Sequence, residues 1–358
     1  MSAVLHPLPG AAAPIARSEG VWAMAWRRFR NDRVGVVSLA VVVVFLVMVL
    51  LAELGVLAGG WQKEVGVPNA RPSWAAAAPA EAVPEASGSP KAAAAASAPL
   101  LDLSDVDPLA PRYAEWAEAA RKYQTVQEVK RDTLPFGGDR LGRDVLAKAI
   151  KGAEVSIFVG VTAALLAASI GTLLGAFGGF FGGKVGDLLE WVYNVFTSIP
   201  SILLIFAFAA VLGRGTTSVV MILALTGWTG TYRLVRAEFI KHAVREYVRS
   251  AEAIGASAAS RMFRHILPNV SHVTLVQLSI LVVAFIKYEV ILSYLGLGVS
   301  VDQVSWGTML AEAQGELILG HWWQLLAATL FMAVFVTAFS LMTDALRDAL
   351  DPKLRGAE

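Results

Sequence analysis

Residues 246–269 read EYVRSAEAIGASAASRMFRHILPN, and they separate two long apolar runs of the chain. Apolar residues recur at helical spacing in the first ten positions, which predicts a short amphipathic helix. Gly255 permits the left-handed turn that ends a helix, and Ser257 can cap a second one. Pro268 suits the first turn of the following apolar helix, where no backbone donor is needed. We therefore expect a rigid helix-turn-helix unit, called the knob (residues 246–269).

One face of the first predicted helix is apolar, and its other faces are charged. The apolar face comprises Val244, Tyr247, Val248, Ala251, Ile254 and Gly255, whereas Lys241, Arg245, Arg249 and Glu252 fall largely elsewhere. A stiff knob that packs against a partner can transmit a push to the helix that it joins. A basic amphipathic loop can instead lie on anionic lipid headgroups. The residues alone leave both interpretations open.

The composition predicts a membrane protein. The chain is 56% hydrophobic and only 16% charged, which lies outside ordinary soluble usage. Apolar, nearly charge-free stretches lie at 34–52, 155–178, 191–213, 215–232, 266–286 and 317–343, each near the ~20 residues that span hydrocarbon. We expect an all-α integral membrane protein with six transmembrane helices. Pro200 should kink the third of them, because it removes a backbone donor.

Basic residues cluster on one side of these spans. They precede the first helix (Arg17, Arg27, Arg28, Arg30 and Arg33) and fill the loop between helices four and five (Arg233, Arg236, Lys241, Arg245, Arg249, Arg261 and Arg264). Such residues favour the cytoplasmic face of a membrane. Both termini should therefore be cytoplasmic, and the segment between helices one and two should be extracytoplasmic.

These stretches divide the chain. Residues 1–33 form a cytoplasmic leader with an interfacial helix, and residues 34–57 contain the first transmembrane helix. Residues 58–152 form an extracytoplasmic insert, in which 66–100 is a low-complexity segment rich in Ala, Pro and Ser. Residues 153–358 form the core, with transmembrane helices two to six and the cytoplasmic loop 233–269. Within the insert, Tyr113, Trp116, Ala120 and Tyr123 recur at helical spacing and predict a short amphipathic helix.

Small residues recur every fourth position along the second span. Gly171, Gly175, Gly179 and Gly183 follow Ala163 and Ala167 at this spacing. A ridge of small side chains lets another helix approach closely in lipid. We expect helix packing from these glycines rather than contact with a substrate.

Two ionisable residues lie within the fifth apolar run. Lys287 and Glu289 are candidates for a gate or a translocation path, because charges at membrane depth are costly. Lys287 is also roughly 28 Å along a helix that starts near Pro268, close to the membrane surface, where a long side chain reaches water. A structural role is therefore the competing interpretation.

Neither a catalytic nor a metal site is expected. The chain has no cysteine, and its five histidines are scattered without a ligand spacing. Gly137, Gly138 and Asp139 are glycine-rich, but no Gly-Lys-Ser/Thr follows them, so a phosphate-binding loop is excluded. The formal charge of +1 argues against a nucleic-acid partner.

Several ordered motifs resemble those of one family. Ser250-Ala251, Gly255 and the run His265-Ile266-Leu267-Pro268 are spaced as in the signature loop of permease subunits in binding-protein-dependent ABC importers. Residues 134–146, 293–299, 305–310 and 344–352 resemble segments of dipeptide, oligopeptide and nickel permeases in particular. The resemblance covers about residues 20 to 356 apart from the Ala/Pro-rich segment.

The resemblance implies a fold, a function and partners. The fold would be the type I ABC importer permease fold, and the solute most simply a di- or oligopeptide. The partners would be a second homologous permease, two ATP-binding subunits that use ATP and Mg, an extracytoplasmic solute-binding protein and the lipid of a bacterial inner membrane. The chain would bind no cofactor and hydrolyse nothing itself. The positions that match the family's coupling loop are Ala251, Gly255, Leu267 and Pro268. We expect their neighbours in the same loop, Glu246, Tyr247, Ala256 and Ser257, to take part in coupling to the ATPase.

Two other functions remain possible at this stage. An ion-coupled secondary transporter would use Lys287 and Glu289 as a titratable relay. A membrane scaffold for a soluble complex would transport nothing. Dependence of uptake on separate ATPase chains distinguishes the importer from both.

Overall fold

The computed structural model describes residues 21–75, 109, 112–122 and 130–350. The helices before and within the insert are α1 (Val21–Asn31), α2 (Arg33–Glu53) and α3 (Tyr113–Lys122). Those that follow are α4 (Val145–Phe181), α5 (Gly183–Ser198), α6 (Ser201–Leu212), α7 (Thr216–Gly227), α8 (Thr229–Ala243), α9 (Glu246–Ala253), α10 (Ala258–Ser260), α11 (Leu267–Tyr294), α12 (Trp306–Ile318) and α13 (Trp323–Leu350), with a π-helical turn at Arg261–Ile266 between α10 and α11. Two compact units are present, 62–144 and the rest of the chain.

The described residues contain five or six candidate membrane spans, and six were expected. Five segments of the described chain are long and apolar enough to cross a membrane: Arg33–Glu53, Val145–Phe181, Thr216–Ala243, Ala258–Tyr294 and Trp323–Ala349. The pair α5 and α6 passes the same test together, and it gives a sixth span when the bent pair is counted as one. The all-α class holds for this membrane unit.

The third span is broken more sharply than predicted. The predicted kink at Pro200 is a complete break, and the axes of α5 and α6 lie at 90° to each other. Ile199 takes an extended conformation, with φ −99° and ψ 132°, and Pro200 then begins α6. A proline ring clashes with a helical residue before it, so Ile199 leaves the helix and the chain turns.

Helix α4 is the centre of the membrane unit. It packs against α2, α7, α8, α11, α12 and α13. Its buried positions are mostly small, including Gly160, Ala163, Ala164 and Ala167, which allows several backbones to approach it at once. Larger side chains from the neighbours, such as Phe335, fill the space that remains.

The unit formed by residues 62–144 carries residues 134–144 of the 134–146 motif. Strands β1 (Gly66–Pro72) and β2 (Arg131–Leu134) pair in parallel. Asp139 is fully buried and accepts hydrogen bonds from the backbone N–H groups of Leu141 and Arg143, both at 2.9 Å. A Cβ at Gly142 would lie 2.0 Å from the carbonyl oxygen of Gly66, so only glycine fits there.

Several predicted boundaries change. The insert ends at residue 144 instead of 152, because α4 already begins at Val145. Residues 66–72 form β1, although the sequence predicts low complexity for 66–100. The prediction differs because the Ala- and Pro-rich composition is a property of the whole segment and not of its first seven residues. Residues 76–100 and Tyr123 lie outside the described residues, as does the leader before residue 21. The amphipathic helix of the insert is confirmed as α3.

Candidate functional site

The turn of the knob has the geometry that its sequence predicts. Gly255 has φ +88°, and its N–H donates to the carbonyl of Glu252 at 2.9 Å. The N–H of Ala256 donates to the carbonyl of Ala251 at 2.9 Å, which completes a Schellman motif at the end of α9. Ser257 then caps α10, and its Oγ accepts from the N–H of Ser260 at 3.3 Å. The chain direction is therefore fixed by backbone hydrogen bonds.

The apolar face of α9 is divided between the chain itself and the surface. Val248 and Ala251 are buried, and Val248 packs in a cluster with Phe239, Met262 and Ile266. Val244, Tyr247 and Ile254 are exposed, with Ile254 at 86%. Only part of this apolar face is therefore available to a partner. The spacing of apolar residues identifies one face of the helix. It does not distinguish the residues of that face that pack inside the bundle from those that remain at the surface.

The predicted coupling residues differ in exposure. Glu246, Tyr247, Gly255, Ser257 and Pro268 are exposed, Ala256 and Leu267 are half-buried, and Ala251 is buried. Ala251 can therefore contribute to internal packing and not to direct contact with a partner.

Polar contacts hold the knob to its neighbouring helices. Arg261 pairs with Glu252 of α9 at 2.6 Å, and its guanidinium lies 5.4 Å from the ring centre of Phe180 in α4. Nδ1 of His242 in α8 lies 2.7 Å from the hydroxyl oxygen of Tyr247. Burial raises the pKa of Tyr247, so this hydroxyl stays protonated at physiological pH. The knob is thus tied to α4 and α8 on two sides.

The knob continues into the fifth span without a break. Ala258–Tyr294 is one helical segment of 37 residues, about 55 Å long. Pro268 lies in the first turn of α11 as predicted, but the helix passes through it. One turn earlier the helix widens, and the N–H of Leu267 donates to the carbonyl of Met262, five residues back. This π turn accommodates the proline, so the second half of the knob and the span form one rod.

Three of the four predicted packing glycines lie against α8. A Cβ on Gly171, Gly175 or Gly179 would approach a backbone oxygen of the α8 segment within 2.5 to 2.8 Å. The oxygens belong to Trp228, Tyr232 and Arg236, one per turn. Gly183 makes no such contact within the described chain, because α4 ends at Phe181 and nothing lies within 4 Å of a Cβ at Gly183.

Replacing Gly175 with alanine should destabilise this contact. Its Cβ would lie 2.8 Å from the oxygen of Tyr232 and 3.0 Å from the N of Arg236, so two helix backbones must move apart. Overpacking of this kind costs about 1–3 kcal/mol. Gly315→Ala is the matched control, since Gly315 is helical and has open space around it, and there alanine should be neutral or stabilising. Thermal unfolding of the purified chain in detergent would compare the two, and equal effects would contradict close packing.

The two ionisable residues of the fifth span point in different directions. Lys287 is exposed, whereas Glu289 is fully buried. Ser156 and Ser293 each donate a hydroxyl hydrogen bond to Glu289 at 2.7 Å. The N–H of Trp306 in turn donates to the Ser156 hydroxyl at 3.2 Å, so Glu289 joins α11 to α4 and α12. A role of either residue in a gate stays a prediction.

Sequence reasoning missed a second buried polar cluster. Lys148 is fully buried and its Nζ pairs with Glu312 at 2.5 Å. Gln324 donates to the same carboxylate at 3.0 Å, so the cluster joins α4, α12 and α13. The sequence pattern places Lys148 in the insert, which separates it from the membrane helices that it contacts. The apolar residues Val145, Ala149 and Gly152 share a helical face with Lys148 and could have extended the second span to it.

Most of the chain is similar in sequence to known permease components of transport systems. The binding-protein-dependent transport system inner membrane component family matches residues 171–356, and the N-terminal TM domain of oligopeptide transport permease C matches residues 20–56. The dipeptide transport system permease protein DppC of Bacillus subtilis is 36% identical over 62% of this chain and 69% of its own length. The oligopeptide transport system permease protein OppC of the same organism is 35% identical over 65% and 78%.

A longer match includes the region between the first two spans. The dipeptide transport system permease protein DppC of Lactococcus lactis is 29% identical over 92% of this chain and 90% of its own length. The family model alone covers more than half of the chain, including the knob and four of the spans around it. The chain therefore belongs to the family of inner membrane permease components of binding-protein-dependent ABC transport systems.

Proposed function

We propose that this chain is a pore-forming permease subunit of an ATP-driven importer of di- or oligopeptides. The relatives at 35–36% identity are named as dipeptide and oligopeptide permeases, which supports this solute class. The observation that carries the mechanism is the continuous segment Ala258–Tyr294, which joins the knob directly to a membrane span.

A push on the knob should reach the membrane because each joint along the path is stiff. The Schellman turn at Gly255 fixes α9 relative to α10, and the ion pair between Arg261 and Glu252 braces the same corner. The buried contact of Val248 with Met262 and Ile266 prevents α9 from moving alone. Packed interfaces shift between discrete arrangements as units, so closure of a motor against the knob would tilt the fifth span.

The surface left for the motor is small and apolar at its centre. Tyr247 and Ile254 are exposed on α9 and its turn, and Val244 is exposed just before them. Glu246, Ser257 and Pro268 are also exposed on the knob. An exposed aliphatic anchor with a polar rim is the pattern of an interface in which a few residues supply most of the binding energy.

The importer needs further chains for this mechanism. We propose a second homologous permease, two ATP-binding subunits that carry ATP and Mg, and an extracytoplasmic solute-binding protein, with this chain itself hydrolysing nothing. The arginines before the first span and in the loop 233–269 favour the cytoplasmic side for the knob and for both termini of the chain in a bacterial inner membrane. The unit formed by residues 62–144 would then face the binding protein.

Ile254→Asp should uncouple the transporter. A carboxylate at an 86% exposed anchor would be desolvated against the ATPase, so we expect at least a tenfold loss of peptide uptake in proteoliposomes of the whole complex. Val301→Asp is the matched control, because Val301 is 87% exposed in the loop between α11 and α12, and its uptake should stay within about twofold of the unmodified complex. Full uptake by the Ile254 variant would contradict the proposal.

A further inference from the structure

A cavity of about 630 Å³ lies mainly between α2 and α4, with Thr216 and Gln303 also in its wall. Its walls are mainly aliphatic and aromatic, with Leu46 and Leu50 on one helix and Phe158 and Val161 on the other. Leu50 and Phe158 are more than half exposed, so the cavity is open on one side along these two candidate membrane spans. This shape suits a hydrocarbon chain that enters from the side.

One end of the cavity carries charge of both signs. Glu53 at the end of α2 and Glu154 on α4 both line it. Lys151 lies one turn before Glu154 on α4, and its Nζ is 2.6 and 2.8 Å from the two carboxyl oxygens. Two carboxyls and one ammonium therefore meet where the apolar walls end.

The apolar walls have the same depth on both helices. Leu46 precedes Glu53 by seven residues, and Val161 follows Glu154 by seven, which is roughly 10 Å of helix in each case. The two carboxyls thus lie at one end and the hydrocarbon side chains at the other. A ligand must have a charged head and an apolar tail to contact both.

We propose that this cavity binds a phospholipid with a primary-amine headgroup, of the phosphatidylethanolamine type. Its ammonium has three N–H donors for the Glu53 and Glu154 carboxyls, and its phosphate is complementary to Lys151. One acyl chain lies between Leu50 and Phe158. A quaternary ammonium has no N–H to donate, and an anionic headgroup is repelled by the carboxyls, so the site discriminates between lipid classes. The proposal is independent of the transported solute.

The assembled complex, purified into nanodiscs, provides the test. With equal amounts of dioleoyl phosphatidylethanolamine and dioleoyl phosphatidylcholine, native mass spectrometry should show the amine lipid retained on this subunit at least threefold over the choline lipid. Glu53→Gln combined with Glu154→Gln should abolish that preference. The control Asp187→Asn, an exposed acid on α5 away from the cavity, should keep it.

A second variant tests the apolar end separately. Leu50→Trp fills the open side while leaving both carboxyls, and it should lower retention of both lipids on this subunit. Equal retention of the two lipids, or an unchanged preference in the double glutamine variant, would overturn the proposal. Displacement of the lipid by substrate peptide, or loss of the site when the second permease joins, would assign the cavity to those occupants and overturn it equally.

Discussion

Gly255→Val is expected to abolish ATP-driven uptake while leaving the complex assembled in the membrane. Gly255 has φ +88°, a conformation that costs a β-branched residue about 1–3 kcal/mol. The strain would be relieved by opening the Schellman turn, so α9 would lose its fixed direction relative to the rod that follows. We expect ATP hydrolysis by the partner subunits to persist and uptake to fall at least tenfold, both measured in proteoliposomes.

Gly320→Val is the control that separates loss of coupling from general destabilisation by backbone strain. Gly320 follows α12 with φ +86°, and a Schellman pair joins its N–H to Leu317 and the N–H of His321 to Glu316. A Cβ has open space at Gly255 and at Gly320, so the two substitutions carry similar conformational costs. The Gly320 variant should lose stability and retain coupled uptake. Equal loss of uptake in both variants would indicate general destabilisation and contradict a coupling role for the knob.

Glu289→Leu is expected to give the largest loss of stability among single changes in the fifth span. It removes the acceptor of two buried hydroxyl groups, those of Ser156 and Ser293. Each buried polar group left without a partner costs about 1–3 kcal/mol, so the two together should cost about 2–6 kcal/mol. Glu289→Gln keeps one acceptor oxygen and should cost less. Lys287→Leu, at an exposed position two residues away, should change stability by less than about 0.5 kcal/mol.

Thermal unfolding in detergent would rank the stability of these three variants. It would be monitored as the loss of the monodisperse size-exclusion peak after heating. Peptide uptake normalised to the amount of folded complex would be measured in parallel. If Glu289 serves only to join α4, α11 and α12, the normalised uptake of the glutamine variant should be near that of the unmodified protein. A strong loss of normalised uptake with unchanged stability would instead support the gate that the sequence suggested.

Local features of the knob could be predicted because they depend on neighbours in the chain. Gly255 ends α9 and Ser257 caps α10 by hydrogen bonds that span at most five residues. The packing role of the glycines at 171, 175 and 179 could also be predicted, since a ridge of small residues on a membrane helix ordinarily allows another helix to pack closely. Gly183 has the same spacing but makes no such contact within the described chain, because the repeat of small residues does not show that α4 ends at Phe181.

The remaining features depend on partners that are distant in sequence. Lys148 and Glu312 are 164 residues apart, and no local pattern indicates that they pair. Val248 and Ile254 are both apolar on a short helix, yet one meets Met262 and Ile266 inside the chain and the other remains at the surface. The 90° break after Ile199 also exceeds the usual effect of one proline, because neighbouring helices decide how far the two halves separate.

Site-specific cross-linking tests the central claim, that the knob is the contact through which the ATPase moves this subunit. The chain contains no cysteine, so Ile254→Cys creates a single thiol on it, and Val301→Cys creates the control. In the assembled complex, a short bifunctional reagent should link position 254 to an ATP-binding subunit, with a yield that changes when ATP is bound, and should not link position 301. A link from position 301 to the ATPase with none from 254 would contradict the account.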